Sequence, residues 1–140
     1  MCESANAGGT GKDQAEASAG RRAKSRNFRD LEVWKKGMEI VREVYRSTGA
    51  FPRVERFGLM DQMRRSAVSI PSNVAEGFNR LHNKEYRHFL YVALGSCAEL
   101  ETQVEIAADL AYIDDHRKAF LLERLDHESR MLRSLIKKLC

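Results

Sequence analysis

The chain is predicted to be all-α, an antiparallel up-down-up-down four-helix bundle whose second helix is kinked at Pro71. Two observations carry this prediction. Apolar residues recur at alternating spacings of 3 and 4 in four successive segments, the mark of one buried face per helix. The segments are joined by short turns, which force consecutive helices to run in opposite directions. No stretch shows the strict alternation of a half-buried strand.

The first segment places Leu31, Trp34, Met38, Val41, Tyr45 and Thr48 on one seam, with Ile40 and Val44 flanking it. Asp30 reads as its N-cap, and Gly49 as a left-handed residue closing its C-terminus. The second runs from about Val54 to Leu81, with Met63, Ala67, Ile70, Val74, Phe78 and Leu81 in register straight through Pro71. A proline there removes a backbone donor and crowds the carbonyl of Ala67, so a long kinked helix is expected. His82 and Asn83 turn the chain, with Asn83 as the next N-cap. The third seam is Tyr86, Leu90, Ala93, Cys97, Leu100, Val104, Ala107 and Ala111. Asp114 caps the fourth helix, whose seam is Leu122, Leu125, Ser129, Leu132, Ile136 and Leu139. The second and third helices each come to about 28 residues, roughly 42 Å at 1.5 Å per residue.

The bundle domain is expected over residues 27–140, preceded by a Gly-, Ala- and Ser-rich tail over 1–26 that lacks the apolar content to fold and reads as disordered. The 140-residue chain carries 24 basic and 20 acidic residues, a formal charge of +4. The tail holds five bases against three acids, which leaves the bundle near +2. Its RRAKSR run at 21–26 reads as a solvated linker or as a nucleic-acid-touching arm. No apolar run reaches the roughly 18–20 residues that span a bilayer, and no apolar signal-peptide core opens the chain. No membrane association is therefore expected, and the expected location is the cytoplasm. Cys2, Cys97 and Cys140 are odd in number and are expected to be unpaired thiols.

Catalytic residues, metal ligands and cofactors are not expected, nor is a small-molecule substrate. A di-metal bundle enzyme is the remote alternative. It would use Glu-x-x-His pairs on two helices, but Glu85 and His88 form one such pair and face away from the third seam. Cys97 lies on an apolar seam, where a thiol is inert. Gly95 reads as a close helix-packing point.

Two groups of residues are candidate contact sites. Arg64, Arg65, Arg80, Lys84 and Arg87 could together contact phosphates. Ser69, Pro71, Ser72, Asn73 and Glu76 form a polar cluster at the kink, suited to satisfying backbone groups or to meeting another subunit. Glu76 and Arg80 are spaced for an ion pair.

Three stretches carry a family likeness: FRDLEVWKKGMEIVREVY, FPRVERFGLMDQMRRSAVSIPSNVAEGFNR and KEYRHFLYVALGSCAELETQVEIAADLAYI. Together they resemble the bacterial 23S ribosomal RNA intervening-sequence proteins, from Phe28 to about Ile113 and more loosely to the C-terminus. The resemblance implies an antiparallel four-helix bundle assembling as a ring-shaped homopentamer. The accessory proteins of diversity-generating retroelements are a related group, forming basic pentamers that bind nucleic acid and a reverse transcriptase. The expected function is thus a non-catalytic oligomeric scaffold that binds structured RNA or a nucleic-acid-processing protein. The alternative is a purely structural assembly module.

Surplus apolar residues outside the seams point to self-association as well. Light scattering at micromolar concentration should return five times the 16.0 kDa chain mass. A monomer under those conditions would remove this expectation.

Overall fold

Residues 27–140 are described by the structure, a computed structural model; the tail read as disordered lies outside them. Four helices follow one another, α1 (Glu32–Thr48), α2 (Leu59–Phe78), α3 (Asn83–Asp109) and α4 (Asp115–Lys138), with single 3-10 turns at Phe28–Asp30 and Arg53–Glu55. There is no strand among the described residues.

Cross-helix contacts fix the directions. Gly37 of α1 faces Ile70 and Pro71 of α2, while Thr48 at the end of α1 meets Arg64 near the start of α2. Ser69 meets Ser96, and Gly77 meets Tyr86 and Phe89, so α2 and α3 are antiparallel. Arg87 and Lys118 join opposite ends of α3 and α4 to Leu139 and Glu105. Arg117 and Arg124 step up α4 as their partners Glu43 and Glu39 step down α1. Each helix packs on its two ring neighbours, an up-down-up-down bundle.

The α3 seam is buried as expected from Tyr86 to Ala107, with Leu90, Ala93, Cys97, Leu100 and Val104 fully enclosed. The α1 seam differs from the expectation. Its buried face is Val33, Gly37, Ile40, Val44 and Thr48; Leu31, Trp34 and Val41 lie at the rim and Tyr45 is exposed. The α4 seam includes Leu121 and Glu128 beside Leu125, Ser129, Leu132, Ile136 and Leu139, while Leu122 is only half-buried.

Several element ends also depart from the sequence reading. Asn27, not Asp30, caps the first turn: its Oδ1 accepts from the Arg29 N–H at 2.9 Å, and Asp30 is held inside that turn. Leu31 occupies the N-cap position of α1 without a side-chain bond. Helix α2 has 20 residues rather than about 28. Residues 52–58 close only three-residue turns, so Val54 and Phe57 point into solvent. At its other end the Arg80 N–H turns back to the Gly77 carbonyl at 3.0 Å, leaving Leu81 88% exposed instead of on the stripe. His82, not Asn83, sits at the N-cap of α3. Asp114 caps α4 as expected, accepting from Arg117 N–H at 2.7 Å.

Gly49 is right-handed at φ −60°. The left-handed closure falls at Ala111, φ 60°, just beyond α3. The Tyr112 N–H reaches the Ala107 carbonyl at 2.9 Å and the Ala111 N–H the Ala108 carbonyl at 3.0 Å, the paired bonds of a Schellman turn. The sequence offers no glycine there to signal it. Two substitutions test opposite kinds of backbone constraint. Ala111→Gly should stabilise the fold by up to about 1 kcal/mol, because alanine is strained at positive φ. Gly77→Ala should destabilise it by about 1–3 kcal/mol, since a Cβ there would lie 2.8 Å from Phe89 Cβ and 3.1 Å from the Tyr86 carbonyl. Chemical denaturation of the two variants reads both signs.

Candidate functional site

The five basic residues singled out by sequence fall into two groups. Arg64 and Arg65 lie near the start of α2, whereas Arg80, Lys84 and Arg87 surround the α2–α3 turn. The helix from Arg65 to Phe78 sets the groups about 20 Å apart. Their chemistry differs as well. Arg64 is half-buried: its Nε donates to Thr48 Oγ1 at 2.9 Å, and its guanidinium lies 4.4 Å from the centre of the Tyr45 ring. Arg87 donates to the Leu139 carbonyl, satisfying the end of α4. These two residues tie helix ends together. Arg65 is exposed and pairs with Asp61 at 3.0 Å. Arg80 pairs with Glu76 at 3.0 Å, the expected ion pair, and lies 4.8 Å from the Phe89 ring centre. Lys84 is exposed.

Arg117 was not singled out by sequence, yet it ties α4 to α1 through three hydrogen bonds. It donates to Glu43 Oε2 at 2.6 Å, Ser47 Oγ at 2.5 Å and the Glu43 carbonyl at 3.1 Å. Burial alone would raise the Glu43 carboxyl; the bonds and charges of Arg117 and Arg46 outweigh it and hold the group below its usual value.

The polar cluster around Pro71 is an α2–α3 seam. Asn73 Nδ2 donates to the Ser69 carbonyl at 2.8 Å and to Ser69 Oγ at 2.9 Å. Ser69 Oγ in turn bonds Ser96 Oγ at 2.8 Å, and Ser96 Oγ bonds the Val92 carbonyl at 3.1 Å. Ser72 and Glu76 are exposed and outside this chain of bonds. Pro71 is buried on another face of α2, toward Gly37 of α1. The cluster thus divides into an interhelical polar link and a core proline.

The most unusual group of the core is one the sequence reading missed. Glu128 of α4 is 0% exposed, and neither carboxyl oxygen has a hydrogen-bond partner. A Cβ built on Gly37 would lie 3.0 Å from its Oε2, 3.3 Å from Pro71 Cβ and 3.4 Å from Ile70 Cγ2. The carboxyl therefore occupies space that the missing Gly37 side chain leaves open, against α1 and α2. Burial and the nearby negative charge of Glu39 push its pKa up to about 8, opposed by Lys36. At neutral pH it is mostly a neutral acid. The signal was present in the sequence: Glu128 sits 3 residues after Leu125 and 4 before Leu132, on the seam itself.

Catalytic constellations do not assemble around these groups. Cys97 is a free, buried thiol whose pKa is pushed up to about 12, first by burial, and so is no nucleophile. Cys140, expected to be an unpaired thiol, is disulfide-bonded. Glu85 and His88 are both exposed, and no group of three or more metal-binding side chains converges among the described residues. No helix of the described residues is long and apolar enough to cross a membrane.

An arginine-rich surface lies at the α1–α2 connection. Residues 42–65 carry six arginines against three acids. Arg42, Arg46, Arg53, Arg56 and Arg65 are all exposed, beside an 87% exposed Phe57. The Phe51 and Tyr112 rings, 5.2 Å apart, bring the α3–α4 turn to the same end. That turn adds Asp109, Asp114 and Asp115 against Arg117 and Lys118.

Fold and surface together define an all-α bundle with an arginine-rich end and a buried acid in its core. Residues 29–134 match the family model of the 23S rRNA-intervening sequence protein, and the chain belongs to that family. A crystal structure of a protein of unknown function from the S23 ribosomal protein family of Bacteroides thetaiotaomicron is similar, with a TM-score of 0.68 and 24% sequence identity. The likeness covers 75% of this chain and 98% of that one, and it is a likeness of fold. A comparison with curated proteins finds no match.

Ser96→Ala tests whether the α2–α3 polar link supports the fold. Removing the hydroxyl leaves Ser69 with one side-chain partner fewer in a largely buried site, a cost of about 1 kcal/mol. The exposed Ser72→Ala should stay within about 0.5 kcal/mol of wild type. Urea denaturation midpoints at equal slope make the comparison.

Proposed function

We propose that the protein is a non-catalytic, self-associating helical scaffold of the cytoplasm that presents arginine-rich surfaces to structured RNA. The observation that carries this reading is the excess of exposed arginine over residues 42–65, which holds a local charge of +3 in a bundle whose total is near +2. Arginines at such a density attract phosphate oxygens and match them with bidentate donors.

Self-association has its own support. Helix α3 carries an outward row of Tyr91, Gly95, Ala98, Thr102 and Ile106 at spacings of 4, 3, 4 and 4. Tyr91 and Ile106 are exposed, and a Cβ on Gly95 would meet nothing within 4 Å. Gly95, expected from sequence to be a close packing point, makes none among the described residues. It is available to a second copy. In a ring of five copies the arginine-rich ends would repeat, giving several weak phosphate contacts the strength of a multivalent one.

Of the five residues first assigned to RNA, Arg65, Arg80 and Lys84 keep the exposure that contact requires, and Arg64 and Arg87 would act by holding the helix ends. The experiment is a filter-binding titration of structured RNA at two salt concentrations. It compares wild type with an Arg53→Ala/Arg56→Ala/Arg65→Ala variant and an Arg80→Ala/Lys84→Ala variant. Loss of affinity at low salt in the first variant, with a shallower salt dependence, is the expected result. Equal affinity in all three would clear both surfaces. No binding by wild type at low salt would leave the purely structural assembly module, which the α3 row favours.

A further inference from the structure

The carboxyl of Glu128 is the one described acid enclosed without a partner, and the function proposed above does not use it. Its surroundings can be named element by element. Helix α1 contributes Gly37 beneath it and the charges of Lys36 and Glu39 beside it. Helix α2 contributes Ile70 and Pro71, neither of which titrates. Helix α3 contributes Cys97, whose thiol senses the Glu128 charge. Its own helix contributes Arg124, bonded to Glu39 at 3.2 Å, and Lys36 reaches the same Glu39 at 3.5 Å.

No donor in this set reaches either oxygen. Pro71 also lacks the N–H that would have served the Ala67 carbonyl. The junction therefore offers the carboxylate no donor, and taking up a proton is how the group sheds its charge there. An ionised carboxylate there would be buried and unpaired, which is strongly unfavourable.

We propose that Glu128 is a proton-operated latch: protonated, it lets α4 close on α1 and α2 over Gly37 and Pro71, and deprotonation loosens that contact. The sign follows from linkage. The carboxyl titrates near 8 in the fold and near 4.5 outside it, so the folded state holds the proton more tightly. The stability it contributes is fully present below pH 4.5 and is lost as pH rises toward 8, above which no further loss occurs.

Cys97 provides a built-in reporter, because it is free, buried and adjacent to the latch. The test labels the full native chain with a thiol reagent at pH 7 and pH 9 and reads the Cys97 peptide by mass spectrometry, in wild type and Glu128→Gln. The wild-type rate divided by the variant rate should rise about tenfold between the two pH values, the factor that a carboxyl titrating near 8 contributes to opening. Dividing by the variant removes the ionisation of the thiol in the opened state, from which it reacts. A ratio that stays constant would overturn the latch. Should Glu128→Gln fail to fold, 13C NMR titration of the Glu128 carboxyl in wild type decides the matter. A midpoint near 8 supports the proposal, and one near 4.5 overturns it.

Discussion

The bundle turns on one junction, where Gly37, Pro71 and the Glu128 carboxyl bring α1, α2 and α4 together. A single methyl on Gly37 would already press on all three partners at 3.0–3.4 Å. Any larger residue there would need these neighbours to give way by a few tenths of an ångström. The close approach has a chemical consequence. Glu128 is fully enclosed there, and its carboxyl faces a proline ring, an isoleucine and a backbone that offer it no donor. The neutral acid is a compromise that keeps the packing and gives up the charge. Packing, protonation and the register of three helices are thus one problem with one solution.

The four helices and their order were legible in the sequence because period and turn signals act locally. The register of α1 and α4 was not, and the reason is physical. A stripe search scores apolar side chains, yet where helices approach most closely the residue must be small. Gly37 interrupts the true α1 seam, and the apolar row through Trp34, Met38 and Tyr45 displaces it in such a search. Glu128 hides the α4 seam in the same way, because a charged residue reads as surface. The α3 seam has neither defect between Tyr86 and Ala107, and there pattern and burial coincide. The turn at Ala111 was missed for a related reason: an alanine occupies the position where glycine is the usual signal.

Counting charges along the chain also misjudged which cations are available. Arg64, Arg87 and Arg117 direct their donors to a hydroxyl, a helix-terminal carbonyl and a carboxylate. Each joins the end of one helix to its neighbour, a role that the fork of five guanidinium donors suits better than an ammonium would. Among the cations left facing solvent are those at the α1–α2 connection, where short turns leave side chains such as Arg53 and Arg56 with little core to cover. The candidate interface is legible only after the structural arginines have been subtracted.

The core acid and the surface charges are linked through Glu39. That residue pairs with Lys36 and Arg124 on the α1–α4 face, and its negative charge is one reason Glu128 holds its proton. Glu39 and its partners are partly exposed, so a change in the balance around Glu39 reaches the buried carboxyl, though solvent screens part of it. A cationic partner docking on that face would weaken the grip on the proton; an anionic one that drew Arg124 or Lys36 away would strengthen it. Because such couplings are reciprocal, the protonation state of Glu128 must bias the same docking equilibrium by an equal free energy. The junction that fixes the packing of three helices is therefore also electrically connected to the outer face of the bundle.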